Sequence, residues 1–372
     1  MARRTDLRPR TAGAPYAARV IKYLGSKRTL VPMLGEMAVA VGARTAVDLF
    51  TGTTRVAQEL KRRGLHVTAA DVASYSEVLS DCYVATDADR VDLAALDAEL
   101  ERLAALPGER GYVTETFCEQ ARFFQPKNGL RIDAVRAAIE RDHPPGSPLR
   151  PILLTSLMLA ADRVDSTTGI QMAYLKQWSP RSHADLELRR PVLLSGAGRT
   201  VAGDVLDTVD SVGPVDLAYV DPPYNQHRYF ANYHIWETLV RWDAPEHYGV
   251  ACKRVDTREQ RSAFNSRRTM PAALADVLGR ISAEVVIVSY NDESWMSADE
   301  MTAALRQAGH EEVAILGFDS KRYVGAKIGI HNRDGVRVGQ VGRLRNVEYL
   351  FVAGPAEKVA AALNAGAPSL QR

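Results

Sequence analysis

The chain has 372 residues, 46% hydrophobic and 25% charged, an ordinary balance for a folded globular protein and enough length for one large domain with an insertion or for two domains. A formal net charge of +2 excludes a global polycation, so any nucleic-acid surface must be local. Cys82, Cys118 and Cys252 lie too far apart for a disulfide framework or a zinc knuckle, no metal site is expected, and no run of about eighteen apolar residues offers a membrane span; reduced thiols in a cytoplasm are the expectation.

Residues 1–16 carry Arg3, Arg4, Arg8 and Arg10 against Asp6, with Pro9, Gly13 and Pro15, and predict a disordered basic lead. No apolar core or small-residue cleavage site follows, so the lead does not read as a secretion signal. A sheet domain is expected over 17–75: 46–50 is strand-like, Thr51-Gly52-Thr53 turns, 55–63 is helical up to Gly64, and 66–71 is a second strand. That is a βαβ start, hence a parallel sheet with a right-handed crossover. Over 76–195 helical periodicity takes over, at 91–106, 132–141 and 151–163, broken by Pro107-Gly108 and Pro144-Pro145-Gly146. This predicts a mainly helical insertion. Strand signals return at 200–204, 215–220, 284–290 and 346–352, so the sheet domain resumes over 196–355 and leaves 356–372 as a C-terminal tail. The expected class is α/β, a doubly wound, Rossmann-like sheet interrupted by an insertion of domain size.

Asp221-Pro222-Pro223-Tyr224 follows the apolar run 215–220 directly. Two prolines fix φ twice and remove two N–H donors, so the chain leaves the sheet in one stiff, extended turn. The Asp221 carboxylate and the Pro222 carbonyl then converge as acceptors beside the Tyr224 ring, a receptor for a planar group bearing NH2, such as a nucleobase amine. Alone, such a sequence is more often a plain turn. A second site upstream raises its weight. Asp48-Leu49-Phe50-Thr51-Gly52-Thr53-Thr54 puts a glycine turn at the carboxyl end of the first strand, where doubly wound sheets bind ligands, yet it lacks the glycines and the lysine of a phosphate grip. Asp71 ends the second strand, placed for ribose hydroxyls, and Asp204 ends a later one, placed for an adenine amine. S-adenosylmethionine fits this set better than NAD. Gly52 could be a plain tight turn, and Asp48 could simply cap the next helix.

Ile21-Lys22-Tyr23-Leu24-Gly25-Ser26-Lys27, Asp48 to Thr53, Asp71 and Asp221 to Tyr224, in this order, resemble the Dam-like adenine-N6 DNA methyltransferases. The runs 224–238, Thr168-Gly169 through Lys176, and Ser289-Tyr290-Asn291 look like a restriction-modification branch of that family. The resemblance covers roughly 20–352. It departs at Tyr23, Ser26 and Thr54, where relatives often carry tryptophan, glycine and glycine. It implies that Tyr23, Gly25 and Lys27 contact S-adenosylmethionine, that Phe50 lines its pocket and Asp71 holds its ribose, and that Asp221, Pro222, Pro223 and Tyr224 act on an adenine flipped from duplex DNA. It also makes Lys22 a candidate DNA contact, with an ordinary surface lysine as the alternative.

Lys127, Asn128 and Arg131 in the insertion are candidates for base reading. Arg228 and His234 are candidates to face the flipped nucleotide, although His234 beside Ile235 and Trp236 reads equally as a packed core residue. Basic residues of the insertion and of 253–268 are expected to hold phosphates. A restriction endonuclease for the same site is an implied partner. Methylation of cytosine N4, methylation of an RNA base amine, and a catalytically silent DNA-binding decoy are the alternatives.

Overall fold

The computed structural model describes residues 21–23, 27, 29–223, 229–260, 262–292, 294–321 and 345–366. Among them nine strands occur: β1 (Thr45–Leu49), β2 (His66–Asp71), β3 (Arg199–Ala202), β4 (Val215–Val220), β5 (His247–Tyr248), β6 (Lys253–Arg254), β7 (Ala283–Asn291), β8 (Glu312–Lys321) and β9 (Arg345–Gly354). Seven form one sheet in the order β3-β2-β1-β4-β7-β9-β8, and β5 pairs with β6 as a separate antiparallel hairpin. Strands β3 to β7 of that order are parallel, and β9 runs antiparallel to both neighbours. This matches the doubly wound α/β expectation.

Alternation of side chains builds two cores. Ala46, Val67, Leu217, Tyr219, Val285, Ile287, Leu350 and Val352 face one layer, with the helices Val31–Ala40, Arg55–Arg62 and His234–Arg241. Val47, Leu49, Ala70, Ala218, Val220, Val286, Val288 and Phe351 face the other, with Met270–Arg280 and Ala298–Gln307. Strands apolar on both faces are what a sheet covered on both sides requires. From β1 the chain first winds outward through β2 and β3, then returns to β4 on the other side. The carboxyl ends of β1 and β4 therefore flank the crevice where winding reverses, the place where open α/β sheets bind ligands.

Between β2 and β3 there is no strand. Helices Leu93–Ala104, Pro126–Asp142 and Arg150–Val164 occupy that insertion, the first and third close to their expected spans and the second beginning well before residue 132. Arg136 ties it to the sheet domain: its buried guanidinium donates to the carbonyls of Leu239 (2.7 Å) and Val240 (3.0 Å), which end the helix His234–Arg241. The expected C-terminal tail is corrected in part. Ala356–Gly366 is a helix, with Val359 and Ala362 buried in the same core as Met33 and Met37 of Val31–Ala40. Residues 1–16, and 367–372 of the tail, lie outside the described residues.

Candidate active site

The turn after β1 carries three residues in the left-handed region: Phe50 (φ 65°), Gly52 (φ 53°) and Thr54 (φ 61°). Phenylalanine and threonine are held there against their preference, a mark of a functional turn. Two carboxylates enforce it. Asp48 Oδ2 accepts from Thr51 Oγ1 (2.8 Å) and from the Ala57 amide (3.0 Å) at the start of Arg55–Arg62, so Asp48 does cap the next helix. Burial, with only part of its carboxylate bonded, pushes the Asp48 pKa up to about 7. Asp71 accepts from the Gly52 amide through Oδ2 (2.8 Å) and from the Ala73 amide through Oδ1 (3.0 Å). Each carboxylate oxygen has capacity for a further donor. At Gly52 (φ 53°) a Cβ would sit 3.1 Å from the Tyr23 ring, so a larger residue there would strain the turn and crowd Tyr23. Tyr23 in turn stacks on Tyr233 (4.6 Å between centroids) and Tyr229 (5.3 Å).

Asp221 leaves β4 beside this turn, because Leu49 and Val220 are register partners. Turn and corner share one cavity of about 270 Å³, whose walls include Tyr23, Lys27, Phe50, Asp71, Asp204, Asp221, Pro222 and Pro223. Asp204 also caps the short helix Val205–Thr208 through the Leu206 amide. Among the described residues, the one lysine of the walls is engaged by carboxylates: Lys27 Nζ lies 3.2 Å from Asp221 Oδ1 and donates to Glu348 on β9. The walls offer, among the described residues, carboxylates at the ends of neighbouring strands, aromatic rings and no unengaged cation, which suits an uncharged nucleoside portion rather than a phosphate. The site therefore fits S-adenosylmethionine. Burial raises the Asp221 pKa to about 6, opposed by Lys27 and assisted by Glu348.

The structure thus gathers Tyr23, Lys27, Phe50, Asp71, Asp204, Asp221, Pro222 and Pro223 in one cavity, with Asp48 and Gly52 shaping it from behind. Gly25, Tyr224 and Arg228 lie outside the described residues. Sequence reasoning missed Glu348, Tyr75, Phe264 and Asn265. Glu348 had a signal, a carboxylate inside the apolar run 347–352. Phe264, which meets Phe50 edge to face at 4.9 Å, and Asn265 come from a single 3-10 turn, Ala263–Asn265, with none.

Two DNA candidates, Asn128 and His234, are corrected by burial, and others are engaged within the protein. Asn128 is 1% exposed and spends its amide inside the protein, donating to the Ser182 and Ala184 carbonyls and accepting from the Leu186 amide. His234 is wholly buried, its Nε2 donates to the Gln171 carbonyl (3.0 Å), and burial lowers its pKa to about 3, so the packed-core alternative describes it. Arg131 donates to the carbonyls of Ala104 and Leu106, closing the helix Leu93–Ala104. Lys22 is bound to Asp162 and Asp165. Lys127 is half-exposed and pairs with Asp185. In 253–268, Arg254 is buried between Asp243 and Asp256, whereas Arg267 and Arg268 face solvent. No described helix is long and apolar enough to cross a membrane.

A family model described as D12 class N6 adenine-specific DNA methyltransferase matches residues 23–304. Modification methylase StsI of Streptococcus sanguinis is 26% identical over 304 residues, 77% of this chain and 46% of StsI. Type II methyltransferase M.CviAII of Paramecium bursaria Chlorella virus 1 is 28% identical, covering 79% of this chain and 90% of that protein. M.NlaIII of Neisseria lactamica is 27% identical over 78% and 89%. The chain thus spans about half the length of StsI and nearly all of the other two. A structure described as a putative sam-dependent methyltransferase from Streptococcus mutans is a distant likeness, with TM-score 0.32, 12% identity and coverage of 87% of this chain and 48% of that one.

Proposed function

Because the chain belongs to the D12 class N6 adenine-specific DNA methyltransferases, we propose that it transfers the methyl of S-adenosylmethionine to N6 of an adenine flipped from duplex DNA, as the modification partner of a cytoplasmic restriction-modification pair. The observation that carries this reading is the single cavity shared by the Asp71-braced turn and the Asp221 corner. When bound, S-adenosylmethionine supplies an electrophilic sulfonium methyl. Asp71 and Asp204 would hold its ribose and adenine, and Phe50 and Tyr23 would wall it.

The chain's own task is to make N6 a nucleophile, since its lone pair is delocalised into the ring. Hydrogen bonds from the two N6 protons to Asp221 and to the Pro222 carbonyl pull the nitrogen towards tetrahedral geometry and aim the lone pair. Lys27 engages Oδ1 of Asp221, which favours Oδ2 as the oxygen that meets the amine. An N6 proton becomes acidic once the methyl has moved, and Asp221 or solvent takes it. Tyr224 stacks on the base and offsets part of the unstacking cost. The test is direct: purified protein, labelled S-adenosylmethionine and mixed-sequence duplex DNA, followed by nucleoside analysis. N6-methyladenine is expected. N4-methylcytosine would move the reading to the other base amine, and no label in either would end it.

A further inference from the structure

Asp221 does not stand alone at the end of β4. Lys27 comes to it from the N-terminal segment, and the same ammonium donates to Glu348, which arrives on the antiparallel strand β9. Ser289 of the neighbouring β7 donates to Glu348 Oε1 at 2.9 Å, the same oxygen that Lys27 engages, and so helps to fix the carboxylate. Lys27 and Glu348 are each 8% exposed. A buried lysine shared by two carboxylates is a rigid strut, because an ammonium without both partners is costly in such a place. Among the described residues, the other ionisable groups that act on Asp221 are Asp48 on β1 and Tyr219 on its own strand, both buried.

Resting on the proposed methyl transfer, we propose that Glu348 is a positioning residue for the reaction: it holds Lys27 against Asp221 Oδ1 and so sets both the orientation and the charge of the acceptor that the adenine amine meets. Two opposed electrostatic influences follow. Lys27 favours the ionised form of Asp221, and Glu348 disfavours it. Glu348→Gln keeps the shape and the acceptor for Ser289 while removing one negative charge. Lys27→Gln removes the positive one.

The experiment is the pH dependence of kcat at saturating cofactor and duplex DNA, with cofactor affinity from calorimetry and folding from thermal melts. In the native protein kcat should fall on the acidic side near pH 6, where Asp221 takes up a proton. Glu348→Gln should move that limb down by about half to one pH unit, lower the plateau by about tenfold through loss of orientation, and leave cofactor affinity within about twofold. Lys27→Gln should move the limb up. A residue that merely supports the fold would change the melting temperature without displacing the limb. An unmoved limb in a folded Glu348→Gln variant, or displacements of the same sign in the two variants, overturns the inference. Absence of methyl transfer by the native protein would instead sink the functional reading.

Discussion

Asp221 and Asp48 end neighbouring strands with burial in common and different work to do. Asp221→Ala removes a preorganised acceptor, so methyl transfer should fall by at least about a thousandfold with the fold and cofactor affinity retained, as labelled-methyl assays and calorimetry would register. Asp48 bears on stability. Its pKa rises on folding from 3.8 to about 7, so between those values the folded chain holds a proton that the unfolded chain has lost. The associated stability is complete below about pH 4 and is lost as pH climbs through about 7. Urea unfolding should accordingly find the Asp48→Asn variant gaining on the native protein from about pH 5 to about pH 8. A constant difference across that range would contradict the buried-acid reading. Asp221 and Asp71 could be read in the sequence because each ends an apolar run. Glu348 could not be given its role, since Lys27, its partner, stands 321 residues away.

At the level of elements, β1, β2 and β4 were legible because they are short, apolar on both faces and followed by marked turns. Strand β8 was not: Glu312, Gly317 and Asp319 interrupt it, and an edge strand needs only one buried side. The helix Ala356–Gly366 passed for a tail because its alanines show little amphipathic contrast until Val31–Ala40 covers them. The insertion misled in another way. Polar residues beside a helix start, such as Asn128, look available in a sequence, yet this one bolts the segment 182–186 to Pro126–Asp142. Asn128→Ala should therefore lower stability by about 1–3 kcal/mol by leaving those backbone groups unpaired, with the methylated DNA sequence unchanged. Thermal or urea unfolding measures the first, and mapping of modified bases the second.

For the whole molecule, a net charge of +2 means that contact with DNA depends on local cations, and most described arginines and lysines of the candidate regions are already paired or buried. Arg267 and Arg268 face solvent on the segment that follows the cavity-lining Phe264 and Asn265. Replacing either by alanine should weaken DNA binding across all sequences and reduce the slope of log affinity against log salt by about 1, read from titrations at several salt concentrations. The order of the sheet has a consequence for how the protein is made. Strand β8 leaves the ribosome before β9, yet among the described residues pairs only with β9, and Glu348 arrives with that same late strand. A nascent chain that has reached only β7 therefore holds the adenosyl turn and the proline corner without Glu348, and the Lys27–Glu348 pair closes only once β9 is made.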